Sequence, residues 1–242
     1  MSRVLDISEL VPSFPGFRVA AVVADGLTIP PQRPLELDAL IAEREEACRA
    51  RLAGMELSAI PGIAAWRQAY RAFGIKRTSY RPSVERLVKN VLADRPLPRI
   101  NSFVDGYNAV SLTHVVPLGA DDLDKVEGDL AFRYARDGDS FVDMGAEEGE
   151  DPNDPPKPGE VVYADGVKVL CRRWNWRQDA RSVITPETRR AVVTVQWNGA
   201  GDLDAAVADL GDILGRFCGA RVACVVADAD RPTVPLPDPA AP

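Results

Sequence analysis

Apolar and polar positions divide the chain into helical stretches on either side of a strand-rich middle. Arg18 to Val23 (RVAAVV) is an unbroken apolar run, which predicts a buried strand. Arg221 to Asp228 (RVACVVAD) matches Arg18 to Asp25 (RVAAVVAD) at all but one position. Eight residues are too few for a structural repeat. The likeness suggests two strands in similar buried settings of one sheet, tying both ends of the chain into a single domain over residues 1–230. Helices are predicted over Leu35 to Leu52, over Pro61 to Phe73 with Gly74 as the stop, over Pro82 to Leu92, and over Ser102 to Thr113. Strands follow at Leu130 to Ala135, Glu160 to Ala164, Val167 to Trp176 and Ala191 to Trp197, with Asp165-Gly166 as a tight turn. Leu203 to Cys218 returns to helical spacing, with Leu203, Val207, Leu210 and Leu214 on one face. This order predicts an α+β domain. Residues 231–242 hold five prolines and are expected as a disordered tail. The acidic, Pro- and Gly-rich stretch Asp143 to Glu160 reads as a lid or as surface.

Bulk properties narrow the function classes. The 242 residues are 46% hydrophobic, enough for one sizeable core or two small ones. No apolar run reaches the roughly 18 residues that span a bilayer, and the first residues lack the apolar centre of a signal peptide. Cys48, Cys171, Cys218 and Cys224 show no C-x-x-C pairing, as expected of reduced thiols in a cytoplasmic protein. The net charge of −7 argues against nucleic acid, but its distribution does not. Between Arg67 and Arg99 nine basic residues face only Glu85 and Asp94, and between Arg172 and Arg190 six arginines face Asp179 and Glu187. Either these form a phosphate-facing patch, or they are spaced around helices and pair with the acidic loops.

Two stretches carry candidate chemistry. In the helix beginning at Ser102, Asn101, Asp105 and Asn108 fall at i, i+4 and i+7, so three short polar side chains share one face. That face either looks into a wet cleft or is solvated. Pro117 closes the stretch, and Asp121 to Lys125 reads as an acidic turn. The second stretch is Cys171-Arg-Arg-Trp-Asn-Trp-Arg177. On a continuous strand Arg172, Trp174 and Trp176 would share one face, and Cys171, Arg173, Asn175 and Arg177 the other. Aromatics interleaved with arginine can stack bases and hold phosphates, but tryptophans more often fill cores. Arg173, Asn175 and Arg177 are therefore the better ligand candidates, and the arginines beside Cys171 are expected to lower its thiol pKa. The single histidine, His114, reads as a packed residue, and one histidine makes a Ser-His-Asp triad or a multi-histidine metal site improbable. No glycine-rich phosphate loop is present, so ATP-dependent chemistry is not expected; no cofactor and no metal are expected.

Residues 101–125 resemble the editing and tRNA-binding domain of the phenylalanyl-tRNA synthetase beta subunit. The pattern of that family reads N-x-x-V-D-x-T-N-x-V-x-L-x-x-G-Q-P-x-H-A-F-D-x-D-K. Asn101, Val104, Asp105, Asn108, Val110, Leu112, Pro117, Ala120, Asp122, Asp124 and Lys125 fall on it without a gap, while Tyr107, Val115, Val116, Gly119 and Asp121 depart from it. The likeness extends over about residues 75 to 200. It implies mixed, sandwich-like β-sheets with flanking helices, in a free-standing relative. It also implies a pocket that holds a wrongly attached amino acid and positions water at its ester to the tRNA 3′ end. The family's pocket histidine falls on Gly119, and its recognition glutamate falls near Thr194 or Gln196, so the scaffold looks kept and the specificity pocket rebuilt.

The resulting expectation is a hydrolase acting in trans on mischarged aminoacyl-tRNA. Asn108, Asp105 and Asn175 would be the catalytic residues. Asn101, Arg173 and Arg177 would contact substrate, and Arg77, Arg81 and Lys89 would hold phosphates. An ester is already activated, so a positioned water and hydrogen-bond donors suffice without a triad. The alternatives are a non-catalytic tRNA- or RNA-binding module on the same scaffold, and a small-molecule or protein-binding domain that kept the scaffold alone.

Overall fold

The computed structural model describes residues 3–76, 80–145 and 152–239. The chain opens with strand β1 (Val4–Asp6) and the nine-residue β2 (Phe17–Asp25). Four helices follow: α1 (Leu35–Leu52), α2 (Pro61–Ala72), α3 (Ser83–Leu92) and α4 (Ser102–His114). The middle consists of β3 (Leu118–Asp122), β4 (Leu130–Tyr134), β5 (Val161–Ala164), β6 (Val169–Arg172), β7 (Arg177–Gln178) and β8 (Arg190–Asn198). Helix α5 (Leu203–Cys218), β9 (Arg221–Ala227) and β10 (Thr233–Pro235) close the described chain. No helix among the described residues is long and apolar enough to cross a membrane.

The strands form two sheets, ordered β3-β8-β2-β9 and β10-β1-β4-β5-β6-β7. All pairings are antiparallel except β1 with β4. The four-stranded sheet is the middle layer of an α+β sandwich. Ala20, Val22, Ala24, Val193 and Val195 pack against α1, α3, α4 and α5 on one side. Val19, Ala21, Val23 and Val192 pack against α2 and the six-stranded sheet on the other. Both faces of β2 are therefore dry, which is why its sequence does not alternate.

Four expectations are corrected. Strand β9 does lie beside β2, with Val22 opposite Cys224, but at the sheet edge: Arg221, Val222 and Cys224 are exposed. Its near-identical sequence therefore occupies a different setting. Asp121 and Asp122 are not turn residues. They end β3 opposite Val192 and Ala191 and are buried. The strand expected from Val167 to Trp176 leaves the sheet after Arg172, and Arg173 and Trp174 have positive φ (46° and 69°). Within the expected disordered tail, Thr233–Pro235 pairs with β1.

Helix α4 carries the residues of most interest, and close packing fixes it. A Cβ built on Gly106 would lie 2.7 Å from Cγ2 of Ile213 in α5, so the two helices approach at glycine distance. Asn101 caps the helix by accepting a hydrogen bond from the Val104 amide at 3.0 Å. Overpacking a tight contact of this kind costs about 1–3 kcal/mol. Gly106→Ala is expected to lower the urea midpoint by a corresponding amount with an unchanged m-value, read by circular dichroism.

Candidate active site

The three polar residues of α4 have different destinies. Asn101 is an N-cap whose Nδ2 also donates to the Ile184 carbonyl at 3.2 Å. Asp105 accepts from Arg33 Nε at 2.7 Å and from the Ile100 amide at 2.9 Å, and both ends of that ion pair are buried. Neither lines the cavity that Asn108 lines, so the structure does not bring the expected catalytic Asp105 and substrate contact Asn101 together with Asn108. Both hold the start of α4 in place. Asn108, one turn on, lines a cavity of about 150 Å³. Its side-chain amide has no hydrogen-bond partner among the described residues.

The opposite wall is the turn that leaves β6. Its backbone reverses at Arg173 and Trp174, and Trp174 drops into an aromatic cluster with Phe14, Phe17 and Trp66 at centroid distances of 4.7, 4.9 and 5.2 Å. This sends Asn175 toward Asn108. Tyr70 Oη donates to Asn175 Oδ1 at 2.9 Å, and Asn175 Nδ2 donates to Gln196 Oε1 at 3.0 Å. Gln196 in turn donates to Thr194 Oγ1 at 3.2 Å. Gly119 pairs with Thr194 across β3 and β8, and all of these except Tyr70 line the cavity. The positions onto which the synthetase pattern places its pocket histidine and glutamate thus converge here, although neither residue type is present.

Three polar atoms of the lining are buried without a hydrogen-bond partner: Ser83 Oγ, Tyr163 Oη and Trp176 Nε1. Buried polar groups in folded proteins are nearly always satisfied, so these mark places for a ligand or water. Asp121, 3% exposed, adds a carboxyl that accepts from Ser182 Oγ at 2.6 Å and Gln178 Nε2 at 3.1 Å. Burial pushes its pKa from 3.8 up to about 7, against the pull of those two donors. Sequence reasoning missed Asp121 by reading Asp121-Asp122 as a turn. The signal was an acid at the pattern's phenylalanine position. Cys171 also lines the cavity, but its thiol pKa is raised by desolvation and by the Asp121 charge, not lowered.

The arginines are mostly committed. Arg172, fully buried, pairs with Glu160 at 2.7 Å and with Asp154, and Arg173 pairs with Glu160 at 3.2 Å. Arg173 also lies over the rings of Tyr80 and Trp176 at 3.8 and 4.5 Å and does not itself line the cavity. Arg177 remains at the cavity, stacked on Trp176 at 4.6 Å and paired with Asp143. The acidic loop thus supplies partners to the arginine-bearing turn.

Tyr70 also walls a second groove of about 110 Å³, lined by Arg67, Arg71, Lys76, Tyr80, Arg81 and Glu85 among others. Glu85 pairs with Arg67 at 2.8 Å and with Arg81. Desolvation opposes ionisation of Glu85, but the two guanidiniums hold its pKa below the ordinary carboxylate value. Arg71 and Lys76 have no ion-pair partner among the described residues. Lys89 is exposed on α3 and lines neither cavity, and Arg77 lies outside the described residues. Among the described residues no group of three or more His, Cys, Asp or Glu converges on a metal position.

Comparison with known proteins identifies the family. The family model described as the B3/4 domain matches residues 65–201, more than half the chain and every element that lines the cavity, and the protein belongs to that family. It is a domain like the B3/B4 domain of the phenylalanyl-tRNA synthetase beta subunit. A similar solved structure is an N-terminal fragment of the phenylalanyl-tRNA synthetase beta subunit from Pyrococcus horikoshii, at 13% identity and a TM-score of 0.45. The match covers 90% of this chain and 49% of that one, so the chain spans about half of the fragment. No curated protein matches the sequence.

Two stability measurements check these assignments. Removing Asp105 leaves the buried Arg33 with the half-exposed Asp38 and the Leu97 and Pro98 carbonyls as partners, so Asp105→Ala is expected to cost about 1–3 kcal/mol in chemical denaturation, and Asn108→Ala, which breaks no hydrogen bond, to cost less than that. Asp121 titrates higher folded than unfolded, so its contribution to stability is complete below pH 3.8 and lost as pH rises through about 7. Asp121→Asn is therefore expected to be more stable than the parent at pH 8, by up to about 4 kcal/mol, and the difference shrinks toward pH 4.

Proposed function

We propose that this B3/4-family domain binds the acylated 3′ end of a tRNA and hydrolyses the ester that joins a wrongly attached amino acid to it. The observation that carries this reading is the cavity between α4 and the β6–β7 turn. It is about the size of a small side chain plus water, and it is lined by an unpartnered Asn108 amide, a fixed Asn175 and three orphaned polar atoms. Ester hydrolysis needs a water aligned with the carbonyl carbon and donors aimed at the oxygen where negative charge develops. Asn108 Nδ2 and Trp176 Nε1 are such donors. Asn175, held by Tyr70 and Gln196, has an N–H and a lone pair left to orient the water. The neighbouring basic groove suits the phosphates of the same terminus, with Arg71 and Lys76 as the uncommitted cations and Arg81 at its wall.

One observation favours a second reading, a non-catalytic tRNA-binding module: Gly119 stands where the synthetase pattern has a histidine. The two readings separate in one experiment. A panel of mischarged aminoacyl-tRNAs is incubated with the protein at micromolar concentration, and remaining ester is followed. The hydrolase reading expects deacylation of at least one member, with kcat/KM lowered about 10²–10³-fold by Asn108→Ala. If every ester survives while tRNA binding weakens steeply with salt, the protein binds without catalysis. If tRNA binding is also absent, both readings fail.

A further inference from the structure

Resting on the reading of the cavity as an aminoacyl site, we propose that Asp121 is the receptor for the α-ammonium of the bound aminoacyl group. The cavity thereby selects ligands that carry a free amine beside the carbonyl.

The argument starts from an unbalanced charge. Asp121 lines the cavity, and it forms no ion pair among the described residues. Its Oδ1 accepts from Ser182 and Gln178, whereas its Oδ2 has no hydrogen-bond partner among the described residues. The acids around it are each provided for. Asp165 pairs with Lys168 at 2.7 Å, and Asp179 with Arg181 at 2.7 Å. The one cationic residue of the lining, Arg177, is taken by Asp143. A buried carboxylate without a counterion is costly, and a cation entering the same dry space removes that cost while forming a charge-assisted hydrogen bond. An uncharged ligand gains neither.

The other titratable groups facing Asp121 do not supply the missing charge. They are Tyr107 from α4, Tyr163 from β5 and Cys171 from β6. Burial raises the pKa of each, so all three stay neutral at physiological pH. Asp165 and Asp179 act on Asp121 as like charges and hold its proton on. Tyr163 Oη, buried and unpartnered at the same cavity, supplies a polar contact for the same ligand head group. The acid is also peculiar to this chain relative to the synthetase pattern, which has phenylalanine at the position of Asp121. A carboxylate there changes which ligand atoms the wall can receive.

The pH dependence follows with a definite sign. Burial raises the Asp121 carboxyl to about 7. Below that pH the empty site holds a proton that an ammonium ligand must displace, so binding of the amine weakens as pH falls from 7.5 to 5.5. A ligand lacking the amine shows no such loss.

The test is isothermal titration calorimetry on the full chain. The probes are 3′-L-alanylamido- and 3′-L-phenylalanylamido-3′-deoxyadenosine. Their propionyl and 3-phenylpropionyl counterparts lack only the amine. At pH 7.5 the parent is expected to bind at least one amine compound tenfold or more tightly than its counterpart, and to lose that preference at pH 5.5. Asp121→Asn is expected to bind both members of the pair with the counterpart's affinity. Its folding is checked by thermal unfolding, and the parent's pH profile stands independently of it. Equal binding of amine and counterpart by the parent, or a preference retained in Asp121→Asn, overturns the proposal while leaving the aminoacyl-site reading standing. No binding by any of the four compounds overturns both.

Discussion

The burial of Trp174 is the constraint on which the site depends. Leaving a strand through two consecutive non-glycine residues with positive φ costs about 1–3 kcal/mol each. The indole placed between Phe14, Phe17 and Trp66 removes on the order of 200 Å² from water, worth roughly 5 kcal/mol, before any edge-to-face attraction. Burial is therefore of the same size as the strain, and with the edge-to-face contacts it offsets the cost of the turn. With Trp174 anchored, Asn175 cannot continue the β6 alternation and is turned into the cavity. Arg173 is turned onto Tyr80 and Trp176 by the same reversal. One tryptophan in the core thus sets the direction of two neighbouring side chains.

Periodicity revealed the scaffold wherever one face was buried and the other was not. Helices α1 and α5 begin and end where their spacing predicts, and the unbroken apolar run of β2 correctly signals a strand covered on both sides. What escaped depended on partners distant in sequence. β3 reads as an acidic turn because its carboxylates are buried against Ser182 and Thr188, some sixty residues away. β9 shares its letters with β2, yet its place at the sheet edge is set by topology. Half of the site was legible for a similar reason. Asn108 and Asn175 could be singled out as polar residues in unusual surroundings, but Asp105 shares the periodicity of Asn108 and differs from it only in meeting Arg33, seventy-two residues earlier.

The charge pattern resolves in the same way. An overall acidic chain carries a basic segment, and most of its arginines are used internally: Arg67 and Arg81 on Glu85, Arg99 on Asp38, and Arg172 and Arg173 on Glu160. Counting charges along the sequence overstates the basic face, because an ion pair across the fold removes two charges from the surface at once. What remains beside the cavity is a small groove with Arg71 and Lys76 uncommitted, which under the proposed function would receive one or two phosphates.

The most direct test of the account is whether Asn108 and Asn175 face one ligand in solution. Side-chain amide resonances of the two asparagines, assigned by substitution, can be followed by NMR while an RNA minihelix bearing a non-hydrolysable 3′-aminoacyl amide is added. The account predicts that both shift on one binding isotherm, while the amide of Asn90 on the exposed side of α3 stays still. Shifts confined to Asn90, or to only one of Asn108 and Asn175, would contradict it.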